Sequence, residues 1–154
     1  MSDALELSDS IVIARTSDEV YGMVADITRM GEYSPVCISC WWDDGASAEV
    51  GAWFTGRNVL GDRTWETRSQ VVVATPGEEF AFVVSPTGTR WGYTFRAVDD
   101  GTEVTESWSM PDQGVAFFRE RFGADADAQV ALRKETARAG IPTTLAAIKR
   151  AAEA

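Results

Sequence analysis

The chain has 154 residues, 45% of them hydrophobic and 25% charged, with 24 acids, 14 bases and no histidine. That length and balance suit one globular domain spanning 1–154 with a genuine core, while a net charge of −10 repels phosphate backbones and anionic membranes and argues against a nucleic-acid partner. The lack of histidine removes Ser-His-Asp and Cys-His machinery and the usual transition-metal sites.

Residues 5–14 end in Ser10-Ile11-Val12-Ile13-Ala14, a short β-branched strand. Their neighbours at the start of the chain are acidic and lack the basic and apolar regions of a signal peptide. No apolar run approaches the ~18 residues of a membrane span. A cytoplasmic protein with no membrane partner is expected. Thr16 and Glu19 are spaced as a capping box, and Val20, Tyr21, Val24 and Ile27 recur at helical spacing. A helix of about ten residues is therefore predicted from Ser17. A second short helix or turn over 28–33 stops at Ser34-Pro35. Residues 37–42 read as a strand, 43–51 as a loop and 52–59 as another strand.

Residues 64–110 organise the chain. Turns at Thr75-Pro76-Gly77, Pro86-Thr87-Gly88 and Asp99-Asp100-Gly101 divide them into four strands that alternate with period two. Trp65, Thr67, Ser69, Val71 and Val73 form the apolar row of the first strand and are taken as inward. Two-residue loops then set Val73 against Phe80 and Val71 against Phe82, Val84 against Trp91 and Phe82 against Tyr93. They also set Phe95 against Glu106, Tyr93 against Trp108 and Trp91 against Met110. Working back through Gly61-Asp62 adds Phe54, Gly56 and Asn58 to the inner face. Each inferred face comes out apolar in turn, as one continuous antiparallel sheet requires.

Beyond it, Pro111-Asp112-Gln113-Gly114 reads as a break. Phe117, Phe118 and Phe122 stand near helical spacing, and 125–150 is rich in helix formers. Gly140 and Pro142 predict a kink or short break in that last helix. The order is strand, two short helices, six strands and a long helix. Only that helix is able to cover the aromatic face, and a curved sheet gripping it leaves a cavity.

This order, with Trp53-Phe54-Thr55-Gly56-Arg57-Asn58 on the third strand, resembles the SRPBCC superfamily. It looks most like the polyketide cyclase/dehydrase branch, related to START lipid-transfer domains and birch-pollen-type allergens. The runs from Thr75 to Phe82, from Arg90 to Phe95 and from Gly101 to Ser107 carry the same resemblance over nearly the whole chain. It implies an α+β helix-grip fold: a curved antiparallel sheet of about seven strands wrapped on a long C-terminal helix, with two short helices after the first strand. It also implies a cavity of the kind this superfamily uses for lipids, hormones or polyketides, some members being aromatases or cyclases.

Glu106 is the one ionisable carboxyl on the inner face. Desolvation there would raise its pKa and suit it to general acid–base work; the plain alternative is a wetted or base-paired carboxylate. Tyr93 would orient a ligand oxygen through its hydroxyl, or else be a core aromatic with a satisfied OH. Asn58, Thr67 and Ser69 offer hydrogen bonds to a ligand, to water or to backbone. Phe54, Trp65, Phe82, Trp91 and Trp108 would form apolar walls. Asn58 and Glu106 stand about four residue pairs apart, roughly 25 Å on a flat sheet, too far for a direct dyad. Arg57 falls on the outer face. Cys37-Ile38-Ser39-Cys40 has the spacing of redox and zinc sites, but positions three apart on a strand point to opposite faces and no further Cys or His completes a zinc site. Two ordinary thiols are expected, with no metal and no cofactor.

The expected function is binding of a small hydrophobic molecule. A cyclase, aromatase or dehydratase using Glu106 or Tyr93 for proton transfer is the alternative, and a protein-partner module a second. A homodimer stays open.

Overall fold

Seven strands form one antiparallel sheet in the computed structural model, which describes residues 5–154; residues 1–4 of the expected 1–154 span lie outside it. In chain order the strands are β1 (Glu6–Ile13), β2 (Cys37–Trp42), β3 (Trp53–Leu60), β4 (Arg63–Thr75), β5 (Glu79–Ser85), β6 (Thr89–Val98) and β7 (Gly101–Ser109). Helix α1 (Ser17–Ala25) and a 3-10 turn (Ile27–Glu32) separate β1 from β2, and helices α2 (Asp112–Phe122) and α3 (Ala126–Glu153) follow β7. The strands lie side by side as β1-β7-β6-β5-β4-β3-β2. A run of hairpins is thus closed by β1 returning to pair with β7. This is the expected α+β helix-grip arrangement, and no helix of the described residues is long and apolar enough to cross a membrane.

Local chemistry fixes the start of α1. Thr16 Oγ1 accepts from Glu19 N at 3.2 Å, and Glu19 Oε1 accepts from Thr16 N at 3.3 Å. The box satisfies two amides that a helix start leaves without partners.

Strand faces follow the expected parity. In β7, Thr102, Val104, Glu106 and Trp108 are buried while their neighbours are half-exposed. Pairing is another matter. The loop after β4 has three residues, because Glu78 N donates to Thr75 O and Gly77 takes a φ of 74°. Ala74, not Val73, therefore faces Phe80 and packs on the core, and a bulge at Val72 restores parity so that Val71 still faces Phe82. Val73, expected inward, pairs with Ala81 on the other face, the one exception to the inward row of β4.

The next two hairpins are each offset by two residues from the expected register. Phe82 faces Trp91 rather than Tyr93, and Val84 faces Thr89 rather than Trp91. A tight Thr87-Gly88 loop would have required Pro86 in the ladder, where it has no N–H to give. In β6–β7, Phe95 faces Val104, Tyr93 faces Glu106, and Trp91 faces Trp108. The turn residues there are Asp99 and Asp100, and Gly101 already belongs to the strand. Its φ is 139°, and a Cβ would stand 2.1 Å from Ile13 O, so this glycine serves the close approach of β1. An offset of two leaves every side chain on its own face, which is why burial agrees where pairing does not.

The helices also differ from expectation in two places. Pro111 caps α2, which starts at once at Asp112 with no break at Gly114; Gln113 Nε2 donates to Pro86 O at 3.0 Å. Helix α3 runs unbroken through Pro142. Proline there forfeits one bond to Arg138 O, while the buried stripe Ala137, Ile141, Thr144, Leu145 and Ile148 anchors the helix on both sides.

Helix α3 packs on β1 and β7 and against α1 and α2. Its end is tied down: Lys149 Nζ donates to Val12 O at 2.7 Å and to Glu153 Oε2 at 2.7 Å, and Glu153 Oε2 also accepts from Ala14 N at 2.9 Å. Phe80 is fully buried at the centre of the sheet, whereas Val72 stands 37% exposed on its bulge. Phe80→Ala is expected to cost about 3–5 kcal/mol and Val72→Thr less than about 0.5 kcal/mol, read from urea unfolding midpoints.

Candidate functional site

The β6–β7 register sets Tyr93 directly across from Glu106, and the Tyr93 hydroxyl donates to Glu106 Oε2 at 2.9 Å. Tyr93 is 2% and Glu106 3% exposed. Glu106 is thus shielded from bulk solvent and has no basic partner among the described residues. Burial pushes its carboxyl up to about 8, with the bond from Tyr93 pulling the other way. The Tyr93 phenol is also driven well up, first by burial and then by the charge Glu106 would carry. At neutral pH the carboxyl therefore keeps its proton. Its Oε1 is buried with no hydrogen-bond partner among the described residues. Two chemically distinct oxygens result: Oε2 accepts from Tyr93, while Oε1 is left without a protein partner.

Aromatic rings frame this pair. Tyr21 of α1 lies edge-on to Phe95 (centroids 5.6 Å) and Phe80 (6.3 Å). Phe82 follows at 6.2 Å from Phe80, then Phe54 at 5.0 Å and Trp42 at 5.7 Å. Of the residues expected to line a ligand, Phe54, Asn58, Ser69, Phe82 and Trp108 are buried, whereas Trp65, Thr67 and Trp91 stay partly exposed. Asn58 Nδ2 donates to Thr67 Oγ1 at 3.2 Å and to Trp65 O at 3.4 Å. These two form a polar spot of their own, with no bond to Tyr93 or Glu106. Arg57 is exposed and paired with Glu66 at 3.0 Å on the outer face.

The cysteines overturn the expectation of opposite faces. Cys37 pairs with Asn58 and Ser39 with Arg57, so Ile38 is an extra residue that bulges out, 52% exposed. The bulge turns Cys37 to the same side as Cys40, with the sulfurs 3.0 Å apart. The bond from Cys40 lowers the Cys37 pKa and pushes that of Cys40 up. Gly56 makes room for both: a Cβ there would stand 3.3 Å from Cys40 Sγ and 3.5 Å from Cys37 Sγ. Charge on either sulfur raises the Tyr93 pKa. Curvature therefore brings β2 within electrostatic reach of β6. Among the described residues no group of three or more Cys, Asp or Glu is placed to hold a metal ion.

Sequence reasoning also missed Arg133. It lies on α3 among good helix formers, where nothing in the pattern separates it from a surface arginine. Its guanidinium stands 5.5 Å from the Trp65 ring and 5.6 Å from Phe118. Nη1 is buried with no acceptor among the described residues. Burial first, and then the charge of Arg63, lowers its pKa. Arg63 itself lies 5.5 Å from the same Trp65 ring. Two surface clefts lie elsewhere, one of about 610 Å³ around the start of α1 and the β6–β7 turn, and one of about 410 Å³ beside the β1–β7 edge. Neither holds Glu106.

A curved sheet closed on a long C-terminal helix, with an aromatic inner face and a buried acid–phenol pair, is a helix-grip domain of the SRPBCC superfamily. The chain belongs to the family described as polyketide cyclase / dehydrase and lipid transport, which it matches over residues 4–152. It is similar to the polyketide-cyclase-like protein Cgl2372 from Corynebacterium glutamicum, with 46% identity, 99% of this chain and 94% of that one covered, and a TM-score of 0.72. The fold is shared with the di-domain ARO/CYC StfQ from the steffimycin biosynthetic pathway (16% identity, 97% of this chain and 51% of that one, TM-score 0.71). It is also shared with the major latex-like protein 151 of Panax ginseng (12% identity, 86% and 95%, TM-score 0.59). No curated protein matches the chain in sequence.

The Glu106 carboxyl sets a pH dependence. It ionises near 4.5 when the chain is unfolded and near 8 when folded, so between those values the unfolded chain alone carries the charge. Stability is expected to fall as pH rises from about 4.5 to about 8, by an amount approaching roughly 5 kcal/mol, and then to level off. Glu106→Gln should flatten that slope and unfold at higher urea than the parent at about pH 9, measured by urea titrations across the range.

Proposed function

We propose that this chain binds a small hydrophobic molecule bearing a carbonyl or enol oxygen, held against the inner face of the grip. One observation carries the reading: Glu106 Oε1 is buried among aromatic side chains, keeps its proton at neutral pH and has no partner among the described residues. A buried polar atom left unpaired costs about 1–3 kcal/mol, which a ligand oxygen accepting from it would relieve. Phe54, Phe82, Trp91 and Trp108 supply apolar walls, Tyr93 holds the carboxyl in orientation, and the partly exposed Trp65 and Thr67 mark the way in. Family membership and the shared fold of ARO/CYC proteins support the same class of ligand.

A specific feature favours an enzymatic reading of the same site. An acid held near pKa 8 is matched to proton transfer at neutral pH. In a cyclisation or dehydration, Glu106 would protonate the carbonyl oxygen under attack or the hydroxyl leaving as water, then recover its proton from the carbon acid. Asn58, Thr67 and Ser69 belong to ligand contact in either case.

The test is what the purified protein carries or takes up, by native mass spectrometry with extraction and identification of the bound molecule. A bound apolar carbonyl compound is expected, with Glu106→Leu weakening its affinity at least about tenfold and Glu106→Gln leaving affinity within about threefold. Loss of turnover in Glu106→Gln with binding kept would establish the enzyme. A protein that carries nothing and takes up no apolar carbonyl compound would overturn both readings.

A further inference from the structure

The geometry points to an anion site at the mouth of the grip, made by Arg63 and Arg133, which both lie beside the Trp65 ring; we infer that the ligand carries an acidic group beside its apolar body. This inference rests on the ligand-binding reading above and names the class of ligand. Both guanidiniums lie 5.5 Å from one indole ring. They repel each other, and the charge of Arg63 disfavours that of Arg133. Neither has a carboxylate partner among the described residues, in a chain with 24 acids. Arg133 Nη1 is buried and has no acceptor among the described residues.

Six other arginines, Arg29, Arg57, Arg68, Arg90, Arg96 and Arg138, each hold an ion pair with a carboxylate. Arg15, Arg119, Arg121 and Arg150 hold none among the described residues, but of the unpaired arginines only Arg133 has a buried nitrogen without an acceptor there. Leaving two cations together, with Arg133 partly desolvated and neither compensated by a carboxylate, is costly unless an anion joins them. Arg63 shares the inward parity of Trp65 and Thr67 on β4, and it stands at the strand's open end. Arg133 reaches the same ring from α3. A carboxylate, sulfonate or enolate placed between them would accept charge-assisted bonds from both, while its apolar body ran inward along the aromatic row. The acidic end stays at the mouth and the neutral oxygen meets Glu106 deeper in.

Two dyes of one shape separate the claims: 8-anilinonaphthalene-1-sulfonate, which is anionic, and N-phenyl-1-naphthylamine, which lacks the sulfonate. The parent should bind the sulfonate at least about tenfold tighter than the neutral dye, the scale of one bond to a charged group. Arg133→Met should lose that preference while binding the neutral dye within about twofold. Arg63→Met, at an exposed position, should lose part of it and serves if the first variant fails to fold. Salt should weaken only the sulfonate. Equal affinity of the parent for the two dyes, or equal loss of both in the variants, overturns the anion site and leaves the hydrophobic site standing. Uptake of neither dye overturns the hydrophobic site and this inference with it.

A different observation carries a second inference, independent of any ligand. We propose that Cys37 and Cys40 are an oxidation site that closes into a disulfide on meeting a hydroperoxide. The bulge at Ile38 places both sulfurs on one face 3.0 Å apart, and Gly56 clears the space beneath them. Cys37 is partly exposed and Cys40 buried, so the first is reached from outside and the second resolves it. The Cys37 thiolate attacks the terminal peroxide oxygen, the O–O bond breaks and the alcohol leaves. Cys40 sulfur then attacks the resulting sulfenic acid, the S–S bond forms and water leaves. Two electrons pass from the dithiol to the peroxide.

Thiol alkylation read by intact mass, before and after hydrogen peroxide, tests it. Both thiols should vanish together in the parent, return with dithiothreitol, and yield a crosslinked peptide joining the two positions. Cys40→Ser should instead stop at a sulfenic acid on Cys37 that a dimedone probe traps. Both thiols still alkylated after peroxide treatment, or loss of thiols only by chains joining to one another, would overturn the proposal.

Discussion

Everything in this molecule depends on the parity of a curved antiparallel sheet. Side chains alternate between two faces, and one face is closed off from water by α3 and α1. The constraint is stronger than any individual contact, because moving a strand by one residue would expose its whole apolar row. It is also weaker than full specification, because moving by two costs nothing in burial. The sheet uses that freedom twice. The placement of Glu106 opposite Tyr93, rather than opposite Phe95, is the result.

That distinction explains what was legible in the residues. Element order, the capping box at Thr16 and the inward rows of β3 to β7 could be read directly, since each is written in hydrophobic period or turn chemistry. Register was not, because hairpin lengths hinge on details such as the missing N–H of Pro86 and the crowding of Gly101 by Ile13 O. Bulges were invisible for a related reason: one extra residue such as Ile38 or Val72 leaves no local signature. Within the site, Glu106 and Tyr93 stood out as polar residues on an apolar row. Arg133 did not, because a helix rich in charged residues hides which of them turns inward.

Desolvation gives the interior its character. The same burial that raises Glu106 and Tyr93 lowers Arg133, so both kinds of ionisable group are moved toward their neutral forms. Around Glu106 and Tyr93 the interior is therefore polar without being charged at neutral pH. Its hydrogen bonds have a direction, since Glu106 Oε2 accepts from Tyr93 while Oε1 has no partner among the described residues. Asn58 donates to Thr67 on the same inner face, on β3 and β4, and adds polarity at little electrostatic cost.

The bulge at Ile38 has an evolutionary reading. It sits on β2, the outermost strand on its side of the sheet, with β3 as its one partner in the ladder. Edge strands absorb insertions and deletions better than central ones, since a single ladder has to adjust. Deleting Ile38 would remove the bulge yet leave Cys37 opposite Asn58 and Cys40 opposite Gly56, two positions apart on a regular strand and still on one face, while β3 to β7 kept their pairing and the acid–phenol pair stayed in place. The shared face of the two thiols is therefore robust to a one-codon length change at position 38, which would alter the path of the edge strand between them and leave the aromatic grip untouched.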